Sequence, residues 1–181
     1  IKAKQLLLES KYGNDLDNLP PITITTPGSF GANVSLDMEV VLAMWEKNLG
    51  ITTEFQQTEF ATFLKDLNKR RFQMFDIGWI ADYPDPENFL DILFYSDSSN
   101  NHTNYNNPEV DALLEKARVE TDETLRFSIY NEVEQTILDD APWIPLWYSG
   151  ERYLLVKPNV HDYLLTPLII PKLRHVYLTD K

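Results

Sequence analysis

Strand-like and helix-like stretches alternate through the first half of this 181-residue sequence, and the connections between them are short. The strand-like stretches are residues 22–26, residues 51–57 and the apolar run from Met74 to Ile80. Helical patterns separate them, at about 33–49 and in the stretch that begins near Phe60. Strands joined by helices in this way form right-handed crossovers and a mostly parallel sheet. The sequence therefore predicts an α/β fold with a central sheet flanked by helices, and the third strand, which is the most apolar, should be central.

The second half of the chain is predicted to be mainly helical. A helix from Pro86 to Phe94 is followed by a long polar loop at residues 95–106, whose length suggests a functional rim. The motif Asn107-Pro108-Glu109 begins the next helix, and another runs from about Asp122 to Asp139, so that the two form a helical hairpin. Two further short strands are expected, at residues 143–148 and 153–156.

Composition excludes several classes of function. The net charge of −12 argues against a nucleic-acid partner, because the chain would be repelled by phosphates. The absence of cysteine rules out disulfides and thiolate metal sites. The longest apolar run, residues 164–170, is too short to cross a bilayer. The chain begins with Ile1 and is helical at once, which suggests a piece of a longer protein.

Asp82 is the candidate functional residue. It follows the third predicted strand, and ligands of open α/β sheets bind near the carboxyl ends of strands. A carboxylate between Trp79 and Tyr83 should be partly desolvated, which is costly unless a cation pairs with it. Asp82 is therefore interpreted as an anchor for a cationic group such as a ligand ammonium. The alternatives are an ordinary surface aspartate for Asp82 and a core residue for Trp79.

No catalytic constellation is visible, and no enzyme, metal or cofactor is predicted. The three histidines lie far apart in the sequence and lack the spacing of a zinc helix. Asp82, Asp85 and Glu87 suggest a paired-carboxylate hydrolase, but Asp85 and Glu87 are also accounted for as the N-cap and first turn of a helix with Pro86 at N1. The loop at residues 97–104 is rich in oxygen donors but lacks the acidic spacing of a calcium loop.

Residues 78–90, GWIADYPDPENFL, resemble the signature of the peptide-binding proteins of ABC transporters, which are the oligopeptide and dipeptide binders of solute-binding family 5. The similarity covers most of residues 1–166. It continues through these further stretches: residues 98–101, Tyr105, residues 107–111, residues 140–142 and residues 144–146.

This resemblance implies a lobe like those of type II periplasmic binding proteins, within a two-lobed receptor that closes on an extended peptide. Residues 1–166 would form the second lobe, and residues 167–181 a tail that returns toward the first lobe, which is missing here. The implied partners are a peptide, the permease subunits of the transporter and that first lobe. The implied location is outside the cytoplasm.

The resemblance also assigns roles to residues of the candidate site. The carboxylate of Asp82 would pair with the α-ammonium of the peptide, and the backbone around Trp79, Ile80 and Ala81 would bond to its main chain as an added strand does. Tyr83 and Tyr105 are further predicted ligand-binding residues. Asp76 stands where one relative has an arginine, so no partner for the peptide carboxylate carries over. The alternatives are a receptor of the same family for a nickel chelate or a sugar and, from another class, a hydrolase that uses Asp82 and Glu87.

Overall fold

The computed structural model describes residues 2–13, 15–28, 35–148, 155–164 and 172–180. These residues belong to two compact units, Ile1–Gly78 and Trp79–Lys181. No helix in the described part of the chain has both the length and the apolar character that a membrane span requires.

The first unit is an α/β unit with a three-stranded parallel sheet. This confirms the predicted fold class and the parallel pairing. Ser35 caps the second helix by accepting a hydrogen bond from the Met38 N–H (3.3 Å), and Gly50 ends it in the left-handed conformation with φ 71°. The elements are α1 (Lys2–Glu9), β1 (Ile22–Pro27), α2 (Leu36–Leu49), β2 (Thr53–Thr58), α3 (Phe60–Asn68) and β3 (Met74–Phe75), with a short 3₁₀ helix at Leu16–Asn18.

The order of the strands corrects the prediction that the third strand is central. The sheet runs β2-β1-β3, so β1 is the middle strand, and its residues 24–26 are buried. The third strand pairs with β1 only at Met74 and Phe75, and one further hydrogen bond joins the Asp76 N–H to the Thr25 carbonyl (3.0 Å). The predicted strand to Ile80 is therefore too long, because apolar character predicts burial and does not guarantee a ladder partner. Asp82 therefore lies seven residues beyond Phe75, the last residue of β3, and not directly at the end of the strand.

The second unit is built on three helices, α4 (Glu87–Phe94), α5 (Pro108–Val119) and α6 (Glu123–Asp140). Helix α6 contacts both α4 and α5, which confirms the predicted helical hairpin. Asn107 caps α5 as predicted, since it accepts hydrogen bonds from the backbone N–H groups of Glu109 and Val110. Asp122, where the next helix was predicted to begin, caps α6 by accepting from the Leu125 N–H. The buried core consists of Leu93, Phe94, Val110, Leu114, Ala117, Ile129, Tyr130, Val133 and Ile137.

The end of the chain differs from the prediction. Residues 143–148 are not a strand, because no described strand pairs with them and their large apolar side chains are mostly exposed. Of the strand predicted at 153–156, residues 153 and 154 lie outside the described part, and residues 155 and 156 are not in a strand. Within the predicted tail, residues 172–180 are described. There β5 (Tyr177–Leu178) pairs antiparallel with β4 (Val160–His161), after a 3₁₀ helix at Leu173–His175.

Candidate ligand-anchoring site around Asp82

The site segment consists of residues 79–82, which belong to the second unit and precede α4. Asp82 is exposed, so the flanking aromatic residues do not enclose it as expected. Among the described residues, none donates a hydrogen bond to its carboxylate and none forms an ion pair with it. The Asp82 carboxylate is thus open to a cation from outside the described chain.

The backbone of the site segment is also open. No described residue forms a backbone hydrogen bond with the N–H or C=O of Trp79, Ile80 or Ala81. Ile80 is exposed, whereas Trp79 is partly buried and packs against the core of the second unit. A backbone segment with unused donors and acceptors is what an added peptide strand requires.

Asn88 holds the site segment from the first turn of α4. Its Oδ1 accepts hydrogen bonds from the Trp79 Nε1–H (3.0 Å) and from the Asp82 backbone N–H (3.2 Å). Asn88 is completely buried, at 0% exposure. Sequence reasoning missed this residue, although an asparagine within a helical turn is a signal, because its side chain often bonds to nearby backbone groups.

Asp85 pairs with Arg126 of α6 through two hydrogen bonds, of 2.9 Å to Nη1 and 2.6 Å to Nη2. This bond to Arg126 is the main reason why the pKa of Asp85 lies below its ordinary value. Asp85 also accepts from the Glu87 N–H (3.0 Å), but the N-cap position is Pro86. The prediction of Asp85 as N-cap is therefore wrong by one residue. The ion pair with a residue 41 positions away was not predicted.

Tyr83 and Glu87 are bonded to each other, since the Tyr83 hydroxyl donates to a carboxylate oxygen of Glu87. This bond is the main reason why the pKa of Tyr83 is raised, while the Asn88 amide lowers it. Glu87 and Asp85 therefore both have partners, and Asp82 is the acidic residue of residues 82–87 without one among the described residues. The described residues contain no group of three or more side chains suited to hold a metal ion.

Tyr105 is held at the end of α6. Its hydroxyl donates to Asp140 (2.6 Å), and its ring packs edge-on against Phe94 with 6.2 Å between centroids. Burial, and next the bond to Asp140, raises the pKa of Tyr105 to about 12. None of its described hydrogen bonds involves the site segment, so the structure does not bring Tyr105 together with Asp82 through a bond.

The loop at residues 95–106 is organised around a buried asparagine, Asn101. The Asn101 Nδ2 donates to the carbonyl oxygens of Tyr95 (3.2 Å) and Tyr105 (2.7 Å), and its Oδ1 accepts from the Tyr105 N–H (3.0 Å). These bonds give the loop a defined path without a helix or strand, which its polar composition did not reveal.

Comparison with known proteins identifies the family. Residues 1–101 match the family described as "Bacterial extracellular solute-binding proteins, family 5 Middle". The chain belongs to this family. The resemblance carried by residues 78–90 is thereby confirmed.

Relatives of this family-5 chain are named as binding proteins. The oligopeptide-binding protein OppA of Bacillus subtilis is 31% identical over 142 residues, which cover 78% of this chain and 25% of that protein. The heme-binding protein A of Haemophilus influenzae is 31% identical over 172 residues, covering 92% of this chain and 30% of that protein.

Solved structures show the same fold. The murein tripeptide binding protein MppA of Escherichia coli superimposes with a TM-score of 0.83 at 29% identity, over 99% of this chain and 34% of that one. OppA of Haemophilus influenzae, in complex with RPPGFSPFR, gives a TM-score of 0.79 at 26% identity, over 98% and 34%. The chain thus spans a quarter to a third of the length of these relatives.

Proposed function

We propose that this chain is the second lobe of an extracytoplasmic receptor that captures extended peptides and delivers them to the permease subunits of an ABC transporter. Residues 1–166 form the lobe, and residues 167–181 lead toward a first lobe outside this chain. One observation carries the proposal: the Asp82 carboxylate, which has no partner among the described residues, adjoins a backbone segment whose hydrogen-bonding groups are unused. The names of the relatives support it, since they include an oligopeptide-binding protein and a complex with the peptide RPPGFSPFR.

Capture begins with the α-ammonium of the peptide, which pairs with the Asp82 carboxylate. The peptide main chain then bonds to residues 79–81, and Tyr83, the residue after the site segment, is a further contact for the ligand. Tyr105 contributes its ring more than its hydroxyl, because the hydroxyl is bonded to Asp140. This division of roles explains how a receptor can accept peptides of different sequence, since neither contact depends on a particular side chain of the ligand.

The magnitudes indicate that these contacts alone give weak binding. A hydrogen bond to a charged group contributes about 1.5–3 kcal/mol and a neutral one about 1 kcal/mol. Micromolar affinity requires about 8 kcal/mol. One anchor and two main-chain bonds give about 4 kcal/mol, which corresponds to a millimolar Kd. Tighter binding requires burial of the peptide by the other lobe.

A receptor for a non-peptide solute is the second candidate, because one relative is named as a heme-binding protein. Nickel chelates and sugars belong to the same alternative. A hydrolase is less well supported, because Glu87 and Asp85 are engaged by Tyr83 and Arg126.

An NMR titration of the ¹⁵N-labelled chain tests the proposal. Trialanine with a free amino group, added up to concentrations near the expected millimolar Kd and above it, should shift the amide signals of residues 79–83. Hemin and a neutral sugar are titrated in parallel. Shifts at these residues with hemin or the sugar, and none with trialanine, would contradict peptide capture and support the second candidate.

A further inference from the structure

We propose that Asn88 is a positioning residue, which fixes residues 79–82 on α4 and so presents the Asp82 carboxylate and the open backbone together. The expected effect of Asn88 on ligand binding rests on the function proposed above. The claim that Asn88 immobilises the segment does not depend on any ligand.

Asn88 accepts both of its hydrogen bonds through one side-chain oxygen. The indole Nε1–H of Trp79 and the backbone N–H of Asp82 are donors only, so the atom between them must be the side-chain oxygen of Asn88. One carboxamide oxygen thus closes both ends of a four-residue segment. The amide nitrogen of Asn88 is left on the other side of the carboxamide, where it is buried and has no hydrogen-bond partner among the described residues.

Few other contacts among the described residues hold the site segment. Residues 79–81 form no backbone hydrogen bond with any described residue, so no ladder or turn fixes them. The segment is held at Trp79, whose ring packs on the core, and through Asn88. Without the Asn88 bonds, the Asp82 end loses its only described tie before the chain reaches Tyr83 and Asp85.

Asn88 is itself held in place by the packing of α4. Asn88 is 0% exposed and lies one residue inside α4. The same helix places Leu93 and Phe94 in the buried core. Asn88 therefore connects a packed helix to an open segment, and a ligand-binding segment that is already ordered loses less conformational entropy on binding.

The alternative is a merely structural role, in which Asn88 stabilises the unit but does not affect the segment in particular. Asn101 provides the matched control. It is also a buried asparagine of the second unit, at 1% exposure, and its side chain also bonds to backbone groups of a loop. None of its described hydrogen bonds involves residues 79–82.

The test compares Asn88→Leu with Asn101→Leu in the 181-residue chain. The readouts are hydrogen exchange at the Trp79 indole N–H and the Asp82 amide, urea unfolding, and the trialanine titration. Trp79→Phe assigns the indole signal among the four tryptophans. Asn88→Leu should accelerate exchange at both sites about tenfold or more, because both donors lose their acceptor. It should weaken trialanine binding about tenfold, because the segment must then be ordered when the ligand binds. Asn101→Leu should lower stability but leave exchange at both sites unchanged.

The outcomes separate this inference from the proposed function. Unchanged exchange in Asn88→Leu overturns it, whatever the chain binds. Accelerated exchange with unaltered trialanine binding overturns the link between positioning and capture. If Asn88→Leu accelerates exchange but the wild type binds no trialanine, the proposed function is refuted, and Asn88 remains the residue that fixes the segment. If Asn88→Leu does not fold, Asn88→Ser replaces it, because serine is smaller and cannot reach both donors.

Discussion

Replacing Arg126 by methionine tests how the loop after Asp82 is attached to the helices of the second unit. Methionine retains much of the apolar stem of arginine and removes the guanidinium. In the native chain, that group makes two hydrogen bonds to Asp85, of 2.6 and 2.9 Å, and lies 5.0 Å from the centroid of the Tyr130 ring. The substitution leaves Asp85 as a partly buried carboxylate without its cation.

The expected loss is about 2.5 kcal/mol. Both side chains of the pair are roughly three-quarters buried, with 23% of Arg126 and 26% of Asp85 exposed. Two charged hydrogen bonds contribute about 3 kcal/mol at the lower end of their range, and the partial exposure reduces this to about 2 kcal/mol by screening. The cation–π contact with Tyr130 adds about 0.5 kcal/mol.

Urea unfolding followed by circular dichroism measures the effect. A double-mutant cycle of Arg126→Met with Asp85→Asn should give a coupling free energy of about 1.5–2 kcal/mol. The control is the Arg71–Asp66 pair, a single bond of 2.8 Å with 59% of the arginine side chain exposed. Its coupling should be about 0.5 kcal/mol or less. Equal couplings for the two pairs would refute the reasoning that burial and bidentate geometry decide the difference.

Three further predictions concern the fold and its pH dependence. Leu114→Ala, at a fully buried core position, should lower the free energy of unfolding by about 2–5 kcal/mol, whereas Leu138→Ala, at 43% exposure, should cost far less in the same urea experiment. Gly50→Ala should destabilise by about 1 kcal/mol, although nothing lies within 4 Å of the added methyl, because the backbone has φ 71°. The pKa of Asp85 is lowered in the folded state, so the stabilisation by Arg126 is present above the ordinary aspartate pKa of about 4 and is lost as the pH falls through the lowered value. The free energies of unfolding of wild type and Arg126→Met should therefore converge in acid, and a constant difference down to that range would contradict the assignment.

Local signals in the sequence predicted the helices well. Asn107 followed by Pro108, and Asp122 ahead of an apolar stripe, mark helix starts because the capping bonds join residues two or three positions apart. Gly50 marks a helix end because glycine tolerates positive φ. These features depend on neighbours in the chain, which the sequence displays directly.

Features that depend on distant partners were not predictable in the same way. Asp85 has the sequence context of a helix cap, but its principal partner lies 41 residues away on α6. The central position of β1 depends on strand pairing on both of its sides, and its alternation of isoleucine and threonine shows less apolar character than the run from Met74. Asp82 itself was selected from its position and from a resemblance, whereas the role of Asn88 required the coordinates.

Combining the Asp82→Asn substitution with a ligand that lacks the α-ammonium tests most directly whether Asp82 anchors the peptide. Free-amino and N-acetylated trialanine are titrated into the wild type, Asp82→Asn and the control Asp97→Asn, which changes the charge of another exposed aspartate in the second unit. Acetylation and Asp82→Asn should each weaken binding about tenfold, as expected for one charged hydrogen bond, and the two together should weaken it no further. Asp97→Asn should bind as the wild type does. If Asp82→Asn binds free-amino trialanine as tightly as the wild type, Asp82 is not the anchor of a peptide.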